Sequence, residues 1–240
     1  MSVIVVENQD KVLINSNSTL ILRNNICNIE YCFDNDSKVL VFADFDGDLV
    51  LNESGKVSNC EVNISYLQLD NYSLIQNTKI DISYNGHLNI NSTYLGVKSK
   101  NVTYNLVNVE SNSEVNITNN VVCLDDSDFV LNCVGTITKG SKRSKCFQKN
   151  RCLTIDDPKI AKILPVLNID ENDVEASHSL SSGTIDEDVL FYMNSRGLDK
   201  KDALSLLLTS YLMPNEEFYS KFEDGLKLKE IADKKVESIC

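Results

Sequence analysis

The sequence lacks the motifs that identify the commonest enzyme classes. It has only two histidines in 240 residues. It contains neither a G-x-x-x-x-G-K-[ST] phosphate loop nor a G-x-S-x-G nucleophile elbow. Because so few histidines do not form an organised Ser/His/Asp set, the chain is a poor candidate for a stand-alone hydrolase.

Long apolar runs and excess basic charge are also missing. No window approaches the roughly eighteen apolar residues that cross a bilayer, and residues 1–10 lack the basic start of a signal peptide. We therefore expect a cytoplasmic location. The 23 Lys and Arg residues are outnumbered by 35 Asp and Glu residues, which gives a net charge of −12. Because phosphate groups attract cations, this balance disfavours binding to nucleic acid or to an anionic membrane.

The eight cysteines include no C-x-x-C pair, so a closed zinc site is poorly supported. In the cytoplasm they are expected to be reduced thiols or metal ligands. Cys146 and Cys152 follow the basic run Lys139–Lys145, and nearby cations lower a thiol pKa. Two ordinary strand cysteines are nevertheless the favoured interpretation of this pair. Five others lie in apolar surroundings and are predicted to be core residues: Cys27, Cys32, Cys60, Cys123 and Cys133.

Short β-type runs fill the region from residue 1 to about residue 175. Clusters of Asn, Ser, Asp and Gly, which favour turns, separate them. This pattern predicts an all-β architecture and leaves a sandwich, a barrel, a propeller or a solenoid open. Short, even strands and abundant Asn at turns favour the solenoid. The runs are Val3–Val6, Val12–Ile14, Leu20–Leu22, Val39–Phe42, Leu49–Leu51, Val62–Ile64, Ile80–Ile82, Leu88–Ile90, Leu106–Val109, Val115–Ile117 and Val121–Leu124.

The last sixty residues carry helix signals instead. Thr184 or Asp186 can cap a helix that runs to about Arg196, with Gly197 at its C′ position. Asp199 caps a second helix, which Pro214 ends, and a third helix is expected from residue 216 to about 236. The second helix is too apolar to be fully solvated. Its apolar residues fall at helical spacing, and they are Ala203, Leu204, Leu207, Leu208 and Tyr211.

One segment resembles the first motif of a phosphatase. An apolar strand leads into Asp44-Phe-Asp46-Gly, which is similar to the motif of haloacid-dehalogenase-like enzymes that bind Mg²⁺. In such an enzyme Asp44 would attack phosphate and Asp46 would be the acid/base. That motif requires a following helix, whereas more strand-like sequence follows here. An acidic turn between two strands is therefore the favoured interpretation.

The two histidines differ in their surroundings. His87 lies in a predicted turn and is expected to be solvated. His178 precedes a polar linker into the helices, and its imidazole would suit a soft or borderline metal. A single histidine is more often structural than a ligand, so the residues around it decide the interpretation.

Four segments between Gly135 and Gly197 together resemble the SufB/SufD family, the scaffold subunits of an iron–sulfur cluster assembly machine. The chain is more similar to the SufD branch, because Ser179 follows His178 where SufB-type chains have Glu, and Asn150 aligns with the SufB-type cysteine. The segments are Gly135–Ser144 (GTITKGSKRS), Gln148–Ile155 (QKNRCLTI), Pro165–Val174 (PVLNIDENDV) and Ser177–Gly197 with its SH, GTIDE, LFY and SRG matches.

The resemblance implies a right-handed parallel β-helix over residues 1–182 and a helical segment over residues 183–240. It implies a scaffold without catalytic activity that pairs with a SufB-like subunit through the end of the β-helix. A homodimer is the alternative pairing. It further implies that a SufC-type ABC ATPase docks on the C-terminal helices. The residues expected at that dock are Asp186, Leu190, Phe191, Arg196, Gly197, Leu204, Leu207 and Leu208.

The resemblance also assigns a ligand role. His178 matches the family histidine at the subunit interface and is expected to bind iron or an iron–sulfur cluster, with Cys152 as a weaker candidate. Ala176 replaces the cysteine that SufD-type chains often carry near that histidine. No cofactor is expected to be held stably by this chain alone, and iron or a cluster would be bound transiently in the complex. A passive β-solenoid used for binding remains the third alternative, beside the phosphatase.

Overall fold

The structure is a computed structural model that describes residues 2–7, 11–43, 47–69, 72–96, 98–124, 127–155, 160–213 and 225–237. These residues form fifteen strands followed by three helices. The strands are β1 (Ser2–Val6), β2 (Lys11–Ile14), β3 (Ser18–Leu22), β4 (Ile26–Cys32), β5 (Ser37–Ala43), β6 (Leu49–Val57), β7 (Glu61–Gln68), β8 (Leu74–Ile82), β9 (His87–Gly96), β10 (Lys100–Asn108), β11 (Glu114–Cys123), β12 (Asp128–Ile137), β13 (Ser144–Thr154), β14 (Ile160–Ile169) and β15 (Val174–Thr184). The helices are α1 (Glu187–Ser195), α2 (Lys200–Leu212) and α3 (Gly225–Glu237).

The strands wind into a parallel β-helix. Within the described residues, the odd-numbered strands form one sheet in the order β1 to β15, and the even-numbered strands form a second sheet from β2 to β14. Every pairing between neighbours is parallel. Each coil therefore contributes one strand to each sheet, which confirms the predicted solenoid. Parallel sheets need burial on at least one whole face, and here each sheet buries its inner face against the other.

The coils differ in length, which explains why no fixed period is visible in the sequence. Leu49 of β6 is the register partner of Leu74 in β8, whereas Asp128 of β12 pairs with Ile160 in β14. Side chains alternate between core and surface along each strand. In β12, for example, Phe129, which is in the core, is followed by a partly exposed residue, and the alternation continues to Ile137.

The core contains a polar cluster as well as aliphatic side chains. The carboxylate of Glu53, which is 3% exposed, accepts hydrogen bonds from the hydroxyls of Tyr31 (2.6 Å), Tyr66 (2.8 Å) and Thr78 (2.6 Å). Gln76 donates to the same carboxylate at 3.2 Å. These donors partly offset the cost of burying an ionisable group. Burial still dominates, and the pKa of Glu53 is raised.

Asparagine at the turns has a conformational reason. Asn59, Asn85 and Asn112 occupy the left-handed region, with φ near 50 to 57°, at one turn of three successive coils. Asn tolerates this region better than most residues because its short side chain can hydrogen-bond locally. Arg143 holds the same conformation at the next turn, with φ 57°. The predicted preference for a solenoid rested on this property.

The helix caps follow the sequence prediction. The Oδ1 atom of Asp186 accepts a hydrogen bond from the Asp188 N–H at 2.8 Å, so Asp186 rather than Thr184 caps α1. Gly197 follows that helix with φ 96°, as a C′ glycine does. Asp199 caps α2 through the Asp202 N–H. The structure describes a third helix over Gly225–Glu237, in the later part of the predicted range, while Pro214 and the start expected near residue 216 lie outside the described residues.

Helices α2 and α3 lie along the outer face of the odd-numbered sheet. Leu95, Val122 and Leu153 are register partners that form an apolar row on that face. This row packs in one cluster with Leu208 and Leu212 of α2. The sheet is therefore apolar on both faces at this place, as parallel sheets commonly are. The remaining members of the cluster include Leu40, Leu67, Leu69, Ala232 and Val236.

The structure bears on two further sequence predictions, those for Cys32 and for the Asp44/Asp46 motif. Cys32 was predicted to be a core residue, but it is exposed, because Cys27, Ile29 and Tyr31 take the inward positions of β4 and leave Cys32 pointing outward. Asp44 and Asp46 lie outside the described residues. The chain after them continues as strand β6, not as the helix that a phosphatase motif requires.

Candidate functional site

The solenoid is open at its C-terminal end. β14 and β15 are the last strands of their sheets, so each has one edge without a neighbour among the described strands. The backbone N–H and C=O groups of such an edge can pair with another chain. Several apolar side chains of the last coil are exposed as well, namely Ile160, Leu164, Val166, Ile169 and Leu180.

The inward positions of the last coil can be read from the register. Ala176, His178 and Leu180 of β15 pair with Cys146, Gln148 and Asn150 of β13, which are all buried. Because register partners share a face, these three side chains of β15 lie on the core side, and the residues between them point outward. No described coil covers them, and Leu180 is 45% exposed. A core half-layer is thus presented to solvent, where a second molecule would complete it.

His178 lies at the middle of this half-layer. It is exposed, and its register partner is Gln148. The sequence singled out His178 only through its motif, and the fold places it at an end where two subunits can meet. His87, by contrast, begins β9, where its Nδ1 lies 3.8 Å from the Oε2 of Glu114.

Gln148 was not among the predicted site residues. Its Nε2 donates to the Val166 carbonyl at 3.1 Å, which ties β13 to β14. Its Oε1 is buried without a hydrogen-bond partner among the described groups. The neighbouring Asn150 donates to the Ser179 carbonyl at 3.2 Å and accepts from Asn119 at 2.8 Å. Alternation along β13 could have placed Gln148 inward, but its nearness to His178 depends on the register.

The thiols of Cys133 and Cys146 are buried beneath the last coil. Burial raises the pKa of Cys146 to about 11 and that of Cys133 to about 12. Both are therefore neutral thiols near pH 7, and Cys146 is not the activated thiolate that its basic neighbours could have produced. The ordinary strand cysteine was the correct interpretation for Cys146.

Cys152 is buried on the inner face of β13, where its register partner in β15 is Ser182. Its thiol is hydrogen-bonded to that of Cys123, which lowers the pKa of Cys152 and raises that of Cys123. Tyr211 of α2 lies beside the pair, and its pKa is raised to about 12, chiefly by burial. Cys152 is separated along β13 from Gln148, the register partner of His178, so the structure does not bring Cys152 together with His178.

A second exposed surface lies on α1 and α2. None of the residues of α1 is buried. Phe191 is 74% exposed and Tyr192 is 58% exposed, while Leu206 of α2 is 54% exposed. The Arg196 guanidinium lies 5.3 Å from the centre of the Tyr192 ring. Large exposed apolar groups of this kind mark interaction surfaces.

The residues predicted for the dock fall into three groups. Phe191 and Arg196 belong to this exposed surface, and Leu190 is partly buried beside it. Asp186 is the N-cap of α1 and Gly197 is its C′ residue, so their local role is to fix the two ends of that helix. Leu208 is fully buried against the β-helix, whereas Leu204 and Leu207 are partly buried. In this conformation Leu208 stabilises the fold and is not accessible to a partner.

Among the residues that the structure describes, no group of three or more His, Cys, Asp or Glu side chains could hold a metal ion. His178 therefore belongs to no such group. Within the same residues, no helix has the length and apolar character needed to cross a membrane.

Comparisons with known proteins agree with the geometry. Residues 47–211 match the family described as SUF system FeS cluster assembly, SufBD core domain. The chain is 31% identical over 119 residues to the iron–sulfur cluster assembly protein SufD of Bacillus subtilis (strain 168), a match that covers 50% of this chain and 27% of that protein. It is 27% identical over 145 residues to an iron–sulfur cluster assembly SufBD family protein of Pyrococcus horikoshii, covering 59% of this chain and 32% of that protein.

A third relative is the iron–sulfur cluster assembly protein SufD of Escherichia coli (strain K12), which is 34% identical over 68 residues, or 28% of this chain and 16% of that protein. These matches span about a third of the relatives' length or less. The family match covers more than half of this chain and includes β6 to β15 and the helices α1 and most of α2. The chain therefore belongs to the SufBD core family of the SUF iron–sulfur cluster assembly system, and it is similar to members named SufD.

Proposed function

We propose that this chain is a SufD-like scaffold subunit of a SufBCD complex for iron–sulfur cluster assembly. It pairs with a SufB-like subunit through the open end of the β-helix and docks a SufC-type ATPase on α1 and α2. It has no catalytic activity of its own. The observation that carries the proposal is the core half-layer on β15, which exposes His178 at the end of a solenoid of the SufBD family.

The open end supports the pairing step. An incoming solenoid end could continue both sheets, because β14 and β15 each present an unpaired edge among the described strands. It would also bury Leu180 and Ile169, which are exposed here although their register partners Asn150 and Ile137 are buried. Burial of apolar surface and new backbone hydrogen bonds would act together. A second copy of this chain is the alternative partner.

His178 supports a ligand role at that junction. A neutral imidazole is a common ligand for iron and other borderline metals. The cluster, or iron on its way into a cluster, is the cargo here and not a resident cofactor. Because the described residues around His178 add no second ligand set, thiolates from the SufB-like subunit would supply the rest.

The surface of α1 supports the docking step. Phe191 and Tyr192 project from a helix that has no buried residue, beside the exposed Leu206. Aromatic residues at the centre of an interface contribute much of its binding energy, and truncating one typically costs about 2 kcal/mol or more. Leu208 lies beneath this surface and holds α2 against the β-helix.

Co-purification tests the dock. The full chain is expressed with the SufC-type ATPase from the same genome and compared with Phe191→Asp, and light scattering reports the mass of the complex. Tyr84→Asp is the matched control, since Tyr84 is an aromatic residue that is 47% exposed in a distant turn. We expect Phe191→Asp alone to abolish the complex. No complex with the unaltered chain would argue against the scaffold function.

The same approach tests the pairing. Leu180→Arg places a charge in the exposed half-layer, and Leu13→Arg places one at the other end of the solenoid, where Leu13 is 58% exposed. We expect only Leu180→Arg to prevent assembly with the SufB-like subunit. If Leu13→Arg has the same effect and Leu180→Arg has none, the subunits meet at the opposite end.

A further inference from the structure

Gln148 is a buried amide whose oxygen has no hydrogen-bond partner among the described groups, and it lies directly beneath an exposed histidine. The side chain is 3% exposed, and its Oε1 has no hydrogen-bond partner among the described groups. Leaving a buried acceptor unpaired costs free energy, and native proteins seldom tolerate it without a reason. An acceptor that is kept open beneath an exposed histidine indicates a role in holding that histidine.

The register brings the two side chains together. Gln148 and His178 are directly opposed in the parallel pair β13 and β15. Neighbouring strands lie roughly 4.8 Å apart, and register partners point to the same side of a sheet. The exposed imidazole can therefore turn one N–H toward the Gln148 Oε1.

The amide is also fixed in orientation. Its Nε2 donates to the Val166 carbonyl at 3.1 Å, so turning the amide over would lose that hydrogen bond. Space for the amide depends on Gly135, because a Cβ at that position would lie 3.0 Å from the Gln148 Nε2 and 2.5 Å from the Cys146 Sγ. The hydrogen bond to Val166 and the space left by the missing Cβ of Gly135 therefore hold the Oε1 of Gln148 in one place.

We propose that Gln148 is a positioning residue for His178. Its Oε1 accepts the N–H of one ring nitrogen, which leaves the other nitrogen unprotonated and directed out of the open end. Ligating histidines commonly donate their second N–H to a carbonyl or carboxylate, which fixes the tautomer and the ring orientation. The metal that the free nitrogen would meet rests on the proposed function, whereas the hydrogen bond itself does not.

The tautomer of His178 tests the proposal directly. The full chain is labelled with ¹⁵N-histidine, and the two ring nitrogens are compared by NMR at about pH 8.5, where imidazoles are neutral. In Gln148→Met, which has similar volume but no acceptor, we expect the tautomer ratio to change about five-fold, which corresponds to roughly 1 kcal/mol for one hydrogen bond. Gln148→Glu keeps an acceptor and should retain the wild-type preference.

Asn150→Leu is the matched control, because it removes another buried amide from β13 without touching the Gln148 Oε1. An unchanged ratio in Gln148→Met, or an equal change in Asn150→Leu, overturns the proposal. If Gln148→Met does not fold, a wild-type ratio equal to that of a short Ser-His-Ser peptide overturns it as well. A tautomer shift in a protein whose His178→Ala variant still delivers clusters would keep the positioning role and remove the ligand role.

Discussion

Gln148 and His178 are register partners on the core side of β13 and β15, yet one is buried and the other is exposed. The difference arises because β15 belongs to the last described coil. The same position that would be core in the middle of the solenoid is exposed at its end. A parallel β-helix can thus present core-facing side chains to a partner without any change of backbone conformation.

Replacement of His178 should separate function from folding. Because its side chain is exposed, we expect His178→Ala to leave the thermal unfolding temperature almost unchanged, as surface substitutions do. Cluster delivery in cells should nevertheless be strongly impaired. Complementation of a deletion strain measures this, with His87→Ala as the matched control for an exposed histidine. Full complementation by His178→Ala would contradict the ligand role.

Strand positions and helix caps could be predicted from the sequence, because they depend on local chemistry. Apolar runs such as Val62–Ile64 alternate within single strands, and Asp186 and Asp199 act on the backbone two or three residues ahead. The coil pairings could not be predicted from the pattern, because coil length varies. The nearness of Gln148 to His178 depends on those pairings, so it was not visible in the sequence.

Glu53 is an instructive omission. It follows Leu49 and Leu51 on the inward face of β6, so alternation alone would have placed it in the core. The usual exposure of Glu argues against that position, and hydrogen bonds from neighbouring coils, including those of the Tyr31 and Tyr66 hydroxyls and of Thr78, make it tolerable. Those contacts are distant in sequence and become evident only in the fold.

The raised pKa of Glu53 predicts a pH-dependent contribution to stability. A carboxyl with a higher pKa in the folded state binds its proton more tightly there. Its stabilising contribution is complete below the ordinary value of 4.5 and is lost as the pH rises through the folded pKa. We therefore expect the free energy of unfolding of Glu53→Gln to rise relative to that of wild type as the pH increases above 4.5, by roughly 1.4 kcal/mol per unit of pKa shift.

Urea unfolding at several pH values measures this difference. Glu30→Gln is the control, because Glu30 is a half-exposed carboxylate on the neighbouring strand β4, where it lies 2.8 Å from the Lys11 Nζ. Its difference from wild type should vary little with pH, since exposed ion pairs contribute little. Parallel curves for Glu53→Gln and wild type would show that Glu53 has the same pKa in both states.

Arg143 offers a route to higher stability. It holds φ 57° at a turn where preceding coils place Asn85 and Asn112. Non-glycine residues pay about 1 kcal/mol or more for this conformation, and Asn pays less than Arg. We expect Arg143→Asn to raise the free energy of unfolding by about 0.5 kcal/mol, and Asn112→Arg to lower it by a similar amount. Chemical denaturation measures both, and a loss of stability in Arg143→Asn would contradict the assignment.

Thiol reactivity should follow exposure. Cys32 is exposed, while Cys27, Cys123 and Cys146 are buried. Burial also raises the pKa of Cys27 and Cys146 to about 11, which keeps them as unreactive thiols at neutral pH. Among the cysteines that the structure describes, we expect iodoacetamide to modify Cys32 first, with mass spectrometry locating the label. Rapid labelling of Cys146 in the native protein would mean that the last coils open.

Two leucines of α2 on either side of Leu207 distinguish support of the fold from recognition of a partner. Leu208 is fully buried between α2 and the β-helix, whereas Leu206 is 54% exposed. Leu208→Asp places a charge in an apolar interface, and we expect it to lower the free energy of unfolding by about 3 kcal/mol or to release α2. Leu206→Asp should leave the free energy of unfolding within about 0.5 kcal/mol of wild type and weaken only ATPase binding.

Circular dichroism with urea titration measures the change in stability, and co-purification measures ATPase binding. Equal destabilisation by both substitutions would show that α2 packs differently, while ATPase binding that survives Leu206→Asp would show that Leu206 is not part of the dock.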